Sequence, residues 1–131
     1  MQKKYLEAVK LFDRSLEIKP DFWQAINNQA LAYFEKNNVN LSIKLFEKAI
    51  SIENNAEPLL GLASSLRIKD IKLALQLAKK ALAKDPNYVN YDYRKEQLWG
   101  EKLQTSTEIL LQDDQLKEDV LLAESKTNAS Y

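Results

Sequence analysis

Apolar side chains recur along this chain at spacings of three and four residues, the period of a helix with one buried face. Stripes of this kind run through Leu6, Val9 and Leu16, then Ile26, Ala30 and Tyr33, then Ser42, Phe46 and Ala49, then Leu59, Leu62, Ala63 and Leu66, and then Ala74, Ala78 and Ala81. They predict helices near 3–18, 22–36, 40–52, 56–67 and 71–84. The residues between the stripes agree. Asp21 with Gln24 forms a capping-box pattern, Asn37-Asn38 and Asp70 suit tight turns, Pro20 and Pro86 follow helix ends, and Pro58 fits only a first turn.

The stripes are copies of one another. Leu11-Phe12-Asp13-Arg14-Ser15-Leu16-Glu17-Ile18 returns 34 residues later as Leu45-Phe46-Glu47-Lys48-Ala49-Ile50-Ser51-Ile52, and Leu77-Ala78-Lys79-Lys80-Ala81-Leu82-Ala83-Lys84 is a third copy 32 residues further on. A helix pair that cannot cover its own apolar face must stack on neighbours, and small residues at fixed positions let the helices approach closely. The predicted architecture is all-α, a stack of helix pairs.

A 34-residue, two-helix unit with this order of large and small positions resembles the tetratricopeptide-repeat (TPR) family. The middle unit carries Ile26, Gln29, Ala30, Tyr33, Ser42, Phe46 and Ala49, with Asn54 where proline is usual. The next carries Leu59, Leu62, Ala63, Leu66, Ala74, Ala78, Ala81 and Pro86 and is one residue short in its internal turn. The first supplies only a second helix, through Ala8, Phe12, Ser15 and Pro20. The resemblance implies a right-handed superhelix of about two and a half repeats. From Tyr88 the repeat pattern is lost, and the stripe Trp99, Leu103, Ser106 and Leu110 is expected to form a cap over the last repeat, with Gly100 splitting it into two helices. Leu98-Trp99-Gly100-Glu101-Lys102-Leu103 with Thr107, Leu110 and Leu111 is similar to the end of cyanobacterial members of the family. A repeat domain over 1–112 and a polar, flexible tail over 113–131 follow, with docking of Leu116, Val120 and Leu121 on the body or on a partner kept open.

The family resemblance also implies a function: a partner polypeptide lies along the concave face lined by the first helix of each repeat. Carried over by position, that face holds Gln24, Asn27, Asn28, Leu31, Phe34 and Glu35 in one repeat, and Glu57, Leu60, Gly61, Ser64, Arg67 and Ile68 in the next. The Asn28 amide can pair with an extended peptide backbone, or simply be solvated with Asn27. Leu31 and Phe34 form a binding floor or pack on the neighbouring helix. With Glu57, Leu60 and Ser64 where cations or amides would be wanted, the clamp that some family members close on a terminal carboxylate is not expected.

Composition narrows the alternatives. The 131 residues are 45% apolar and 29% charged, with two glycines and three prolines, a balance that folds. Neither histidine nor cysteine is present, which removes the usual zinc ligands, thiol chemistry and the commonest general base. Glu47 and Glu53 lack any convergent arrangement, so no enzyme, cofactor or metal site is expected. The 19 basic and 19 acidic residues cancel, and no nucleic-acid partner is expected. Lys72, Lys79, Lys80 and Lys84 share a strip that reads as a solvated helix face, with docking of acidic tails, RNA or lipid heads as the sharper alternative. No run reaches the roughly 18–20 apolar residues that span a bilayer, and a cytoplasmic setting is the expectation. The expected role is a non-catalytic scaffold, adaptor or assembly factor that binds a protein or peptide. The competing role is self-assembly, a homodimer through Leu6, Val9 and Leu16, whose covering helix is expected either from a second copy or from a longer natural chain, and a helical-repeat nucleic-acid binder is the lesser alternative.

Overall fold

A computed structural model describes residues 22–127. The expected helix at 3–18, its face Leu6, Val9 and Leu16, and the cap at Asp21 lie outside the described residues.

Two helix pairs follow one another as expected. Helices α1 (Trp23–Glu35) and α2 (Val39–Ile52) form the first pair, and α3 (Ala56–Leu66) and α4 (Ile71–Lys84) the second. Within each pair the helices pack along their length, α2 packs on α3, and α1 also touches α3, so the first helices of the two pairs line one face. The turns are set by short polar side chains. Asn37 takes the left-handed region at φ 67°, where asparagine is tolerated. The Asn38 N–H reaches back to Tyr33 O at 3.0 Å and the Asn37 N–H to Phe34 O at 3.0 Å, closing α1 in a Schellman motif. The Asn38 side chain then accepts from the Leu41 N–H to open α2. Asp70 does the same for α4 through the Leu73 N–H at 3.2 Å.

The small and large positions of the repeat pack as their spacing predicts. Ala30, Ala49, Ala63, Ala74, Ala78 and Ala81 are fully buried, and the Phe46 ring is sealed among them. Ser42, also fully buried, satisfies its hydroxyl by donating to Ala30 O at 2.8 Å, which ties α2 to α1. Gly61 makes room for Phe46: a Cβ there would sit 2.5 Å from the ring's Cε1.

Beyond α4 come a 3-10 turn (Pro86–Val89), α5 (Tyr91–Glu96), α6 (Glu101–Leu111), a second 3-10 turn (Asp114–Leu116) and α7 (Lys117–Lys126). The break expected at Gly100 occurs, yet the left-handed residue that makes it is Leu98, at φ 71°. The Trp99 N–H returns to Arg94 O at 3.1 Å in a second Schellman closure. The stripe Trp99, Leu103, Ser106 and Leu110 is buried as predicted, but not over the end of the last repeat. Helix α6 lies on the inner face, against α3 and α1. The end of the stack is covered instead by the Pro86–Val89 turn and α7, which pack on α4 and on each other. The polar tail predicted after Gln112 is therefore corrected as far as Thr127: Leu116 and Ala123 are buried and Val120 packs beside them. These three share one helical face, and for Leu116 and Val120 docking on the body is the outcome among the options left open. Leu121 stays exposed.

Gly61→Ala forces the added methyl into a ring that has nowhere to move. A loss of about 1–3 kcal/mol in folding stability is expected, as for other overpacked cores. Urea denaturation checks this, and pairing the change with Phe46→Leu should recover most of the loss.

Candidate protein-binding face

The first helices of the two pairs present the residues that the resemblance assigned to partner binding. Much of that surface is already in use. Gly100 opens α6 with no side chain to cap it, and a helix start leaves its first amides without partners. Glu35, at the end of α1, supplies what is missing: Oε1 accepts from the Lys102 N–H at 2.9 Å and Oε2 from the Leu103 N–H at 3.0 Å. A carboxylate on two amides at the positive end of a helix is stabilising both by hydrogen bonding and by charge. The Lys102 ammonium donates to Asn37 Oδ1 at 2.7 Å, beside the same junction.

Midway along α6 the contact is polar and buried. Ser64 and Thr107 share a hydrogen bond of 2.7 Å, the Ser106 hydroxyl donates to Ser64 O at 2.7 Å, and Arg67 Nε donates to Ser106 Oγ at 3.1 Å. Leu60 is fully buried, as are Leu103 and Leu110. Behind this contact a buried arginine holds the α5–α6 corner. Arg94, with no exposed surface, donates to Gln104 Oε1 at 2.6 Å and Tyr88 O at 2.8 Å. Nη2 of the same residue lies 3.4 Å from the Glu108 carboxylate. Burial pulls its pKa down to about 10, with Glu108 opposing.

At the start of α3, Glu57 sits in an aromatic corner. Trp99 Nε1 donates to one carboxyl oxygen at 3.0 Å and the Tyr88 hydroxyl to the other at 3.3 Å. Tyr93 meets Tyr88 edge-on at 5.0 Å between ring centres. Desolvation pushes the Glu57 pKa up from 4.5, against the hydrogen bonds from Trp99, Asn27 and Tyr88. Burial together with the neighbouring Glu57 charge raises the Tyr88 phenol as well.

The residues predicted for the partner-binding face can now be placed. Glu35, Leu60, Ser64 and Arg67 are brought together around α6, while Leu31 is buried in the core and Gly61 faces Phe46. Phe34 and Arg67 remain on an open furrow beside α6, with Val39, Ser65, Ile68, Lys69, Lys102 and Thr105, around a volume of about 380 Å³. Gln24, Asn27 and Asn28 line a second cleft at the other end of α1. The concave face is thus filled in its middle and open at its two ends. Sequence reasoning missed the capping role of Glu35, the enclosed Glu57 and the arginine anchor. A hint was present in the polar members of the 99–110 stripe, since serine and threonine facing inward require a polar counterpart such as Ser64.

Residues 24–55 match the family model described as "Tetratricopeptide repeat". The chain carries a tetratricopeptide repeat. The matched segment covers α1 and α2, and α3 with α4 repeats its geometry, so the TPR-like helical stack predicted from the pattern is the fold. TPR units are protein-interaction modules in general. No curated protein matches the chain. Among the described residues no helix is long and apolar enough to cross a membrane.

Two outcomes test this geometry. Glu35→Ala leaves the Lys102 and Leu103 amides unpaired in a buried setting and should cost about 1–2 kcal/mol, by analogy with loss of a cap. Hydrogen exchange should show the loss concentrated in 101–111. Glu57 adds a pH dependence of definite sign. With its folded pKa above the ordinary value, its contribution to stability is largest below about pH 4.5 and declines as pH rises through the folded pKa, because the unfolded chain ionises first. Glu57→Gln should flatten that decline in urea midpoints measured across roughly pH 4–8, and an unchanged slope would assign it to other groups.

Proposed function

We propose that the chain is a non-catalytic protein-interaction module, and that its partner polypeptide lies in the open furrow where α1, α3 and α6 meet. The observation that carries this reading is the furrow's make-up. Its lining combines apolar side chains, from Phe34, Val39 and Ile68, with cationic ones, from Arg67, Lys69 and Lys102. Ile68 is 82% exposed, so covering it would remove a large apolar side chain from water at roughly 25 cal/mol per Å². The middle of the groove is a poorer place, because a peptide there would have to displace α6. That means exposing Leu103 and Leu110 and breaking the polar contacts to Glu35 and Ser64.

The sequence supports the non-catalytic part of the reading, since it contains neither histidine nor cysteine. Protein binding agrees with the TPR match. The lysine strip on α4, with Lys72, Lys79, Lys80 and Lys84 all exposed, carries no apolar lining comparable to the furrow's and reads as a solvated face.

The test is positional. A photo-crosslinking amino acid in place of Ile68 should capture one discrete polypeptide in the host cell, and the same probe in place of Lys79 should not. Ile68→Asp should reduce recovery of that polypeptide by about tenfold, the effect of roughly 1.4 kcal/mol, with no change in thermal unfolding. Equal capture at both positions, or full recovery with Ile68→Asp, would remove the furrow from the account.

A further inference from the structure

The furrow collects positive charge from three separate elements. Arg67 follows the last residue of α3, Lys69 lies in the turn before α4, and Lys102 is in the first turn of α6. All three line it, and neither aspartate nor glutamate is among its lining residues.

The groups that hold these cations are neutral. The Lys69 ammonium donates to Asn40 Oδ1, the Lys102 ammonium to Asn37 Oδ1 at 2.7 Å, and Arg67 Nε to Ser106 Oγ at 3.1 Å. The carboxylates close by in the structure or the sequence are engaged with backbone. Glu35 accepts from the Lys102 and Leu103 amides, and Asp70 accepts from the Leu73 N–H. Even with Glu35 set against Lys102, the lining keeps an excess of positive charge, in a chain whose charges otherwise balance. Like charges gathered in this way repel one another, and a bound anion relieves the repulsion.

A second observation concerns how the cations are arranged. Asn37 and Asn40 flank the start of α2, so lysines from two distant elements are drawn to the same short segment. Their ammonium heads are thereby ordered before any ligand arrives. Ile68 stands between Arg67 and Lys69 in the sequence and is 82% exposed, and Phe34 and Val39 line the same furrow half-buried.

Occupants differ in how much of this they satisfy. A small inorganic anion meets the charges and leaves Ile68 in water. A purely apolar segment covers Ile68 but desolvates cations without pairing them, which is costly. A nucleic acid brings the charge, yet Phe34 is the one aromatic ring in the lining, and bases need a series of rings to stack on. A polypeptide with carboxylates on both sides of a large apolar side chain satisfies the whole set. With Nε already bonded to Ser106, the guanidinium of Arg67 presents Nη1 and Nη2 for two-pronged pairing with a carboxylate, and the lysines add point charges.

We infer that the furrow selects an acidic segment of its partner, one in which carboxylates flank a large apolar side chain. The inference rests on the reading of the furrow as the partner's binding place, and it adds the chemistry of the occupant. The recognised groups are side-chain carboxylates, so no chain terminus is required.

The experiment uses the whole chain, ¹⁵N-labelled, titrated with the doubly blocked peptide N-acetyl-Glu-Glu-Leu-Glu-Glu-amide. Two further peptides replace every glutamate by glutamine, or the leucine by glycine. The backbone amides of Ile68, Lys69 and Thr105 are the reporters. With the acidic peptide they should shift saturably in the roughly millimolar range open to so small a ligand. The glutamine peptide should leave them unmoved, and the glycine peptide should bind severalfold more weakly. Lys69→Glu should weaken the acidic peptide at least severalfold with no change in thermal unfolding. Lys79→Glu, the same change of net charge on α4, should leave binding as it was. Equal shifts with the glutamine peptide, indifference to the leucine, or equal weakening by Lys69→Glu and Lys79→Glu would each overturn the inference. So would an oligouridylate of the same charge that moved the same signals at lower concentration, since that assigns the furrow to nucleic acid. The two proposals can fail separately. Crosslinking at position 68 without a response to the acidic peptide keeps the furrow as the binding place and removes its acidic preference, and a response without crosslinking does the reverse.

Discussion

The carboxylate of Glu35 fixes where α6 can begin, and most of what distinguishes this molecule from a plain helical stack follows from that. A helix that starts after glycine has no side chain of its own to pair its first amides. Here the missing acceptor comes from the end of α1, 67 and 68 positions earlier in the chain. Once both amides are bound to Glu35, the axis of α6 is directed along the inner face. Ser64 then meets Thr107, and Trp99 meets Glu57. A different capping residue on α6 itself would have left it free to pack elsewhere.

Stacked repeats must protect two ends and one hollow, and the two C-terminal segments divide that work differently from what composition implies. The more apolar one, 99–111, closes the hollow, while the polar one, 113–127, protects the end. The reason lies in the surfaces they meet. The last repeat ends in α4, whose outer face is lysine-rich, so a short helix offering Leu116, Val120 and Ala123 is enough to cover its apolar edge. The inner face carries Glu35, Glu57, Ser64 and Arg67, groups that need hydrogen-bond partners once enclosed. Helix α6 brings serine, threonine and free amides to match them.

This contrast also explains what could be read from the residues beforehand. The four repeat helices were legible nearly to the residue, because their signal is local and written twice: a period of three and four, small residues such as Ala30 and Ala63 or Ala49 and Ala81 returning 33 and 32 apart, and Asn38 and Asp70 at the turns. The face carrying Gln24, Asn27, Asn28, Phe34 and Arg67 was named only through the family resemblance, by position within each repeat, and as a binding face it stays a proposal. Its occupancy by α6 was not legible. Ser64 and Thr107 lie 43 residues apart, in segments with no common pattern, and neither is unusual until the two helices are placed. The same holds for Glu57, which looks like a solvated first-turn carboxylate until Trp99 and Tyr88 close over it. The oligomer face at Leu6, Val9 and Leu16 stays an expectation from the pattern alone.

Filling the middle of the hollow has an electrostatic consequence. Were the groove open throughout, an extended chain could lie in it in either direction, held mainly by backbone contacts. With α6 in place only the ends remain, and they carry opposite character: Arg67, Lys69 and Lys102 with apolar side chains at one, Glu57 and Glu96 among amides at the other. Like charges set against either end would be repelled, so a segment reaching both is favoured in one orientation and disfavoured in the other. The helix that fills the middle of the face thereby gives what is left a polarity, and under the proposed function that polarity would set discrimination between partners more than buried area does.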